Sequence, residues 1–347
     1  MYPKVSIIIL NWNGWKDTVE CLESVYGIDY PSYDVIVLDN GSEDDSIQKI
    51  KAYLNGDLVV DSKFFSYSAQ NKPIEFLELS KEDAESAMPG DGFDSELPPD
   101  RRLILIKSYR NYGFAEGCNI GMKYALKALN LEYILLLNND TVLDRRVLVE
   151  MIKVAEVDES IGFAGPMIYY YDMDGRRDII SVAGIKLIMN RGSFYRFGAL
   201  EVDKGQYDSV RTVDYLEGSC ILIKREVLEN VGLLNPKYFA YWEETDLCIR
   251  GFKAGYRSVF VPRSKIWHKV SSSVDSSVKL YYMTRNRLWF MRAHATKGQL
   301  LYFIIYFFAY QFWRALAWFM AQKDGNKITS FLRGVVDGIR MNFNDSS

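Results

Sequence analysis

Four consecutive apolar residues, Ile134-Leu135-Leu136-Leu137, run straight into Asn138-Asn139-Asp140-Thr141. A short unbroken apolar run of this kind predicts a strand buried on both faces, the environment of a parallel sheet covered by helices. Val5-Ser6-Ile7-Ile8-Ile9-Leu10 repeats the pattern and ends in Asn11-Trp12-Asn13-Gly14; Asp34-Val35-Ile36-Val37-Leu38 ends in Asp39-Asn40-Gly41-Ser42. Residues 16–26 carry helical periodicity between them, and Ser42 and Asp44 offer caps for a second helix. Strand, helix, strand, helix in this order predicts an α/β fold with a mostly parallel central sheet flanked by helices and right-handed crossovers. Ligands of such sheets bind just beyond the carboxyl ends of the strands, so those polar ends are where function is sought first.

With 347 residues and 48% hydrophobic content, the chain can hold one large domain, or a domain plus an appendage. Residues 57–100 interrupt the pattern with eleven Asp/Glu against three Lys, and read as an acidic, partly mobile insertion within a domain spanning 1–270. A lid, a partner-docking arm and a passive insertion are all compatible with that segment. Leu103-Ile104-Leu105-Ile106 resumes the sheet, residues 111–121 lead into a helix, and residues 161–235 suggest shorter, irregular strands. The four cysteines are far apart and form no C-x-x-C pair, which disfavours a zinc site or disulfide framework and fits a reducing, cytosolic setting. The first strand begins within a few residues of Met1, leaving no room for a signal peptide there.

Residues 271–347 form a basic, aromatic C-terminal helical extension. Between 265 and 347, twelve Lys/Arg face four Asp. Residues 299–320 are almost wholly apolar, interrupted by Gln311 and Arg314, and on a helix the polar positions fall within roughly a 120° arc. An amphipathic helix lying in an anionic interface is the favoured reading, through residues 298–347. A single span is disfavoured because a central Arg costs about 2.5–3.5 kcal/mol on insertion scales. The third alternative is an ordinary core helix. No nucleic-acid partner is expected, and the sequence leaves the oligomeric state open.

A second acidic cluster, Trp242-Glu243-Glu244-Thr245-Asp246, is followed by His268, one of only two histidines. Asp140, the glutamate pair and the imidazole together suggest a metal-dependent enzyme handling an anionic substrate. Adjacent carboxylates repel, so one can have a raised pKa suited to a base working near neutral pH. The competing reading is an acidic first helical turn that complements the helix dipole. Tyr241 and Trp242 can supply an aromatic platform for a ligand or simply pack the core. Arg285 can hold a phosphate or lie on a solvated basic face. His294 has no evident partner and is expected at the surface.

In order and spacing, residues 5–14, 34–42, 111–121, 136–141, 218–220 and 242–250 resemble the family 2 glycosyltransferases of GT-A fold, in particular the rhamnosyltransferase and galactofuranosyltransferase-like enzymes. The resemblance covers residues 4 to about 295 apart from the acidic insertion. It implies an inverting transfer of a sugar from a nucleoside diphosphate sugar, UDP- or dTDP-linked, to a hydroxyl of a glycan acceptor, expected to be lipid-linked. It implies Mg²⁺ or Mn²⁺ held by Asp140, the last position of the family's Asp-x-Asp motif, with His268 as a second ligand. Asn138 stands where the motif's first Asp would be and, with Asn139, is expected to bind ribose or phosphate. Asp39 corresponds to the residue that binds nucleobase or ribose, unless it is only a turn Asp, and Asn13, Arg110, Asn111 and Gly113 line the same pocket. Arg285 is added on the donor diphosphate or a lipid phosphate. Alignment assigns the catalytic base to Glu244, with Glu243 and Asp246 orienting the acceptor or the helix start. The implied setting is cytoplasmic, peripheral on the cytosolic membrane face. Two rivals remain at this stage. A sugar-nucleotide nucleotidyltransferase would need a Gly-rich basic loop where this chain has Asn11-Trp12-Asn13-Gly14-Trp15-Lys16; the other is a non-catalytic, membrane-bound glycan-binding protein of the same fold.

Overall fold

The computed structural model describes residues 2–93, 97–270 and 275–340. The parts of the acidic segment and of the C-terminal extension that fall on 94–96, 271–274 and 341–347 lie outside the described residues. The N-terminal half alternates as the apolar runs predict: β1 (Val5–Asn11), α1 (Trp15–Tyr26), β2 (Tyr33–Asn40) and α2 (Ser46–Asn55). Next come β3 (Glu75–Ser80), α3 (Lys81–Ser86), β4 (Arg102–Ser108), α4 (Gly113–Ala128) and β5 (Tyr133–Asn138). β1 lies between β2 and β5, parallel to both, and β2 continues in parallel to β4 and β3. Ile7, Ile9, Val37, Leu38, Ile134 and Leu135 are fully buried, as strands covered on both faces require.

Two local expectations are corrected. The acidic segment is not wholly outside the sheet, because β3 forms its edge strand and α3 is capped by a reciprocal Ser80–Asp83 box. The sequence conceals this strand because an edge strand buries little, and β3 is only partly covered. Ser42 does not cap α2. Its hydroxyl bonds Asp39 instead, and Asp45 is the residue that precedes α2, with Asp44 accepting from the Ser46 backbone N–H at 3.0 Å.

The second half inserts antiparallel strands. It runs β6 (Thr141–Leu143), α5 (Val147–Ala155), β7 (Ile161–Tyr170), β8 (Ile180–Val182), β9 (Ile185–Ile188), β10 (Ser193–Arg196), β11 (Arg211–Val213) and β12 (Cys220–Lys224). α6 (Arg225–Val231), α7 (Glu243–Lys253) and β13 (Arg257–His268) follow. The sheet order is β11-β13-β7-β12-β5-β1-β2-β4-β3, with β12 antiparallel to both β5 and β7. β9 and β10 pair as a separate hairpin. The strands between residues 161 and 235 are short as anticipated, except β7 with its 10 residues.

The C-terminal helices are α8 (Ser276–His294), α9 (Lys297–Tyr306), α10 (Phe312–Ala321) and α11 (Gly325–Arg340), with a π-helical stretch at Phe307–Gln311 joining α9 to α10. α8 buries Asn286, Trp289, Phe290 and Met291 in the same core as the sheet. α11 packs on α8 so closely that a Cβ at Gly334 would lie 2.8 Å from the Tyr281 carbonyl oxygen. The core-helix reading of residues 299–320 fails: Phe303 and Phe307 are buried, but Leu301, Ile305, Trp313 and Trp318 are 59–62% exposed.

Candidate functional site

Three neighbouring strand ends are joined by a relay of side-chain hydrogen bonds. The Asn11 amide donates to Asp39 Oδ1 at 2.7 Å, Thr18 donates to Asn11 Oδ1 at 2.7 Å, and the Asn139 amide donates to Thr18 at 2.9 Å. Asp39 also accepts from the amide and hydroxyl of Ser42. Asn13, in the left-handed region at φ 50°, accepts from the Glu43 amide at 2.8 Å and donates its own amide to Ser42. Buried polar groups require such partners, at about 1–3 kcal/mol for each one orphaned. Asp39, Asn13 and Asn139 therefore belong to one hydrogen-bonded group at the strand ends, and in this arrangement Asp39 performs the turn role. The Asn40 amide ties in the next loop by donating to Asn111 Oδ1 at 3.0 Å, and Asn111 Oδ1 also accepts from the Gly113 amide at 2.7 Å. Arg110 stands exposed on this rim, its guanidinium 4.5 Å from the Tyr112 ring centre. The close approach that requires a glycine at Gly113 (φ 82°) is made by Phe239, which a Cβ there would meet at 2.5 Å.

Asp140 and His268 meet because β6 and β13 pair antiparallel, placing His268 opposite Thr141. His268 Nε2 lies 3.0 Å from Asp140 Oδ1, and both residues are buried. Burial by itself would lower the His268 pKa, but the hydrogen bond and charge of Asp140 outweigh it and the net shift is upward. Asn138, on the same strand end, has a buried Oδ1 with no hydrogen-bond partner among the described residues, and its backbone N–H donates to the Ser219 carbonyl at 2.9 Å. Among the described residues no three His, Cys, Asp or Glu side chains gather as a closed metal site. A carboxylate and an imidazole suit a hard divalent cation that completes its shell with water and phosphate oxygens.

Glu243 and Glu244 open α7, which is entered through a strained turn. Phe239, Tyr241 and Trp242 have φ of 65°, 69° and 78°, each costing on the order of 1–3 kcal/mol for a residue with a side chain. Glu243 is buried, and one carboxylate oxygen of each glutamate is buried with no partner among the described residues. Burial pushes Glu244 up to about 7, with the Glu217 charge adding to the rise and its own backbone hydrogen bond and Arg196 opposing it. Glu243 rises well above the ordinary carboxylate range, through burial first and then the charge of Glu244. Gly218 packs against Glu244, with its Cβ position 3.6 Å from the carboxyl carbon, so the turn carrying Ser219 links Asn138 to Glu244.

The structure adds Arg196 to the site and gives His294 and Arg285 partners that the sequence did not announce. Arg196 on β10 pairs with Glu217 at 3.0 Å beside Glu244. His294 is not at the surface: its Nε2 lies 2.7 Å from Asp246 and its side chain is 6% exposed. Burial would raise Asp246, but His294 and Arg250 hold its pKa below the usual range. Asp246 thus anchors α7 to α8 instead of facing a ligand. Arg285 does not lie on a solvated face. It donates to the carbonyls of Lys237 and Tyr238 at 3.0 and 2.7 Å. No local pattern announces these contacts, because each joins segments 21 to 48 residues apart.

Comparison with known proteins places this arrangement. Residues 93–287 match the profile described as glycosyltransferase like family 2, and residues 6–68 match that of glycosyl transferase family 2. The low-salt glycan biosynthesis hexosyltransferase of Haloferax volcanii is 26% identical over 195 residues, covering 53% of this chain and 59% of that protein. The N-acetylglucosaminyl-diphospho-decaprenol L-rhamnosyltransferase of Mycobacterium tuberculosis is 42% identical over 65 residues, 19% of this chain and 21% of its own length. The matched segments thus span less than two thirds of these relatives. Among solved structures, a mannosyltransferase from Pyrobaculum calidifontis in complex with GDP-Man and Mn²⁺ superposes with a TM-score of 0.57 at 14% identity, covering 98% of this chain and 88% of the other. That likeness speaks to the fold, which is the GT-A fold. With more than half of its length matched by one family profile, this chain belongs to the family 2 glycosyltransferases.

Proposed function

We propose that the chain is a metal-dependent, inverting glycosyltransferase that moves a sugar from a UDP- or dTDP-linked donor to a hydroxyl of a lipid-linked glycan. The observation that carries this reading is the joint placement of Asp140–His268 and Glu244 about the strand ends of β5 and β12. Asp140 and His268 would hold Mg²⁺ or Mn²⁺, which when bound offsets the charge of the leaving diphosphate. Arg110 and the rim formed by Asn111 and Gly113 would cover the nucleoside, and Asn138 would face ribose or phosphate. Arg285 is reassigned from phosphate contact to loop support, since two backbone carbonyls occupy its guanidinium. Glu244 takes the proton of the acceptor hydroxyl as that oxygen bonds to the anomeric carbon. The bond to the diphosphate oxygen breaks on the opposite face and its electron pair leaves with the nucleotide. Titration calorimetry with UDP, dTDP, GDP and CMP tests the donor side. One diphosphate is expected to bind tightly with Mn²⁺ and at least about tenfold more weakly with EDTA; equal affinity in both would overturn metal-dependent donor binding.

The C-terminal region, 271–347, is proposed to place the enzyme on the cytosolic membrane face. Lys297–Ala321 is long and apolar enough to cross a membrane. An interfacial position is favoured because Arg314 is exposed midway along it. Replacing Leu301, Ile305, Trp313 and Trp318 together by Ser changes four exposed side chains of α9 and α10 and none of α8 or α11. This change is expected to lower partitioning onto phosphatidylserine-containing vesicles by about tenfold or more, since each such side chain contributes about 1.5–3 kcal/mol when fully buried. Unchanged sedimentation with vesicles would place the contact elsewhere.

A further inference from the structure

Asn286 is completely buried at the centre of α8, a position where an amide requires partners. Its side-chain nitrogen lies 2.9, 2.8 and 2.8 Å from the carbonyl oxygens of Tyr238, Ala240 and Tyr241. Its Oδ1 accepts from Arg285 Nε at 2.8 Å, and the Arg285 guanidinium reaches Lys237 and Tyr238. One dipeptide therefore gathers four carbonyls of the segment that enters α7. In that same segment Phe239, Tyr241 and Trp242 all occupy the left-handed region. A backbone in this state persists only when its surroundings over-determine it. Tyr282 stacks on Phe239, with ring centres 5.0 Å apart, and Phe290 packs at a tilt against Trp242, at 4.9 Å, adding two more holds from the same helix.

The residue after Trp242 is Glu243, and the next is Glu244. Any relaxation of residues 239–242 would rotate the start of α7 and carry both carboxylates with it. We propose that Asn286, supported by Arg285, is a positioning residue that sets the location of the catalytic base by holding the strained turn against α8. This inference rests on the reading of Glu244 as the base. It adds that the base is aimed from a helix more than forty residues downstream through backbone carbonyls, with no side-chain contact to the carboxylate. The groups facing Glu244 are Glu243, Glu217, Arg196, Tyr215, Tyr241 and Cys248. Because burial is the main reason for its raised pKa, a loosened turn that admits water brings Glu244 back toward an ordinary carboxylate.

Asn286→Ala in the full chain tests this, with Asn286→Asp as the second variant, which keeps the shape but loses both amide donors. Both are expected to lower kcat by about 10²-fold, the effect of misplacing a catalytic group by about an ångström. Donor nucleotide affinity should stay within about twofold, and the acid limb of the pH–rate profile should move below 7. Hydrogen exchange gives a readout independent of turnover: amides 239–246 should exchange at least about tenfold faster in the variants while β1 and β5 stay protected. Unchanged exchange at 239–246 in either variant, or a lower kcat with an unmoved acid limb, would overturn the positioning role. If Glu244→Gln retains turnover while the Asn286 variants speed exchange locally, the reading of Glu244 as a base fails and the latch itself stands.

Discussion

Glu244→Gln is expected to reduce transfer by about 10²–10⁴-fold while leaving nucleotide affinity nearly unchanged, because the amide keeps the shape and loses the proton acceptor. The wild-type pH profile gives the companion result. Glu244 is pushed up to about 7, and a base acts only when ionised, so the rate should rise with pH through that value and fall below it. Glu243→Gln is the control that separates the pair. Glu243 is buried, and burial with the charge of Glu244 pushes its carboxyl well above its ordinary range, which favours its protonated form. A neutral glutamine in its place imitates that form, and the rate should stay within about tenfold of wild type. Loss of activity in Glu243→Gln with retention in Glu244→Gln would exchange the two roles.

Asp140→Ala is expected to abolish the Mn²⁺ dependence of donor binding. It removes the carboxylate that pairs with His268, and among the described residues leaves the imidazole without that partner, a poor holder of a hard cation against water. A second consequence concerns pH. Asp140 is what holds the His268 pKa up against burial, so its removal should lower that pKa. In the wild type, a proton on His268 competes with metal, and metal-dependent binding should be lost as pH falls through the raised value. NMR titration of His268, with and without Mn²⁺, reads both effects. Calorimetry showing the same metal-enhanced affinity in Asp140→Ala would remove this residue from the metal site.

Much of the fold was legible because its central strands are buried on both faces. The runs at 5–10, 34–38, 103–106 and 134–137 fit strands covered on both faces, the setting of a parallel sheet flanked by helices. β3 escaped notice because Glu75-Phe76-Leu77-Glu78 sits at an edge, half covered, and carries no such run. The acidic pair and Asp140 could be singled out because charges at strand ends and helix starts are conspicuous in an apolar sequence. Their neighbours were not. Asn286 sits beside Arg285, whose charge attracted a phosphate-binding role, yet the arginine is occupied by Lys237 and Tyr238 and the amide holds the turn. His294, expected at the surface, is an internal partner of Asp246.

The sequence by itself determined the order of buried strands, the polar groups at their carboxyl ends and an aromatic, basic helix at the C-terminal end. These properties depend on residues close together in the chain, where apolar periodicity and turn chemistry act directly. Only the tertiary structure decided which polar groups meet. Register between β6 and β13 brings His268 to Asp140, the packing of α8 over the entry to α7 brings Asn286 to the 238–241 carbonyls, and the β9–β10 hairpin brings Arg196 to Glu217. Those pairings are set by the burial of whole faces and by the need to satisfy every buried donor and acceptor, conditions that involve many distant residues at once.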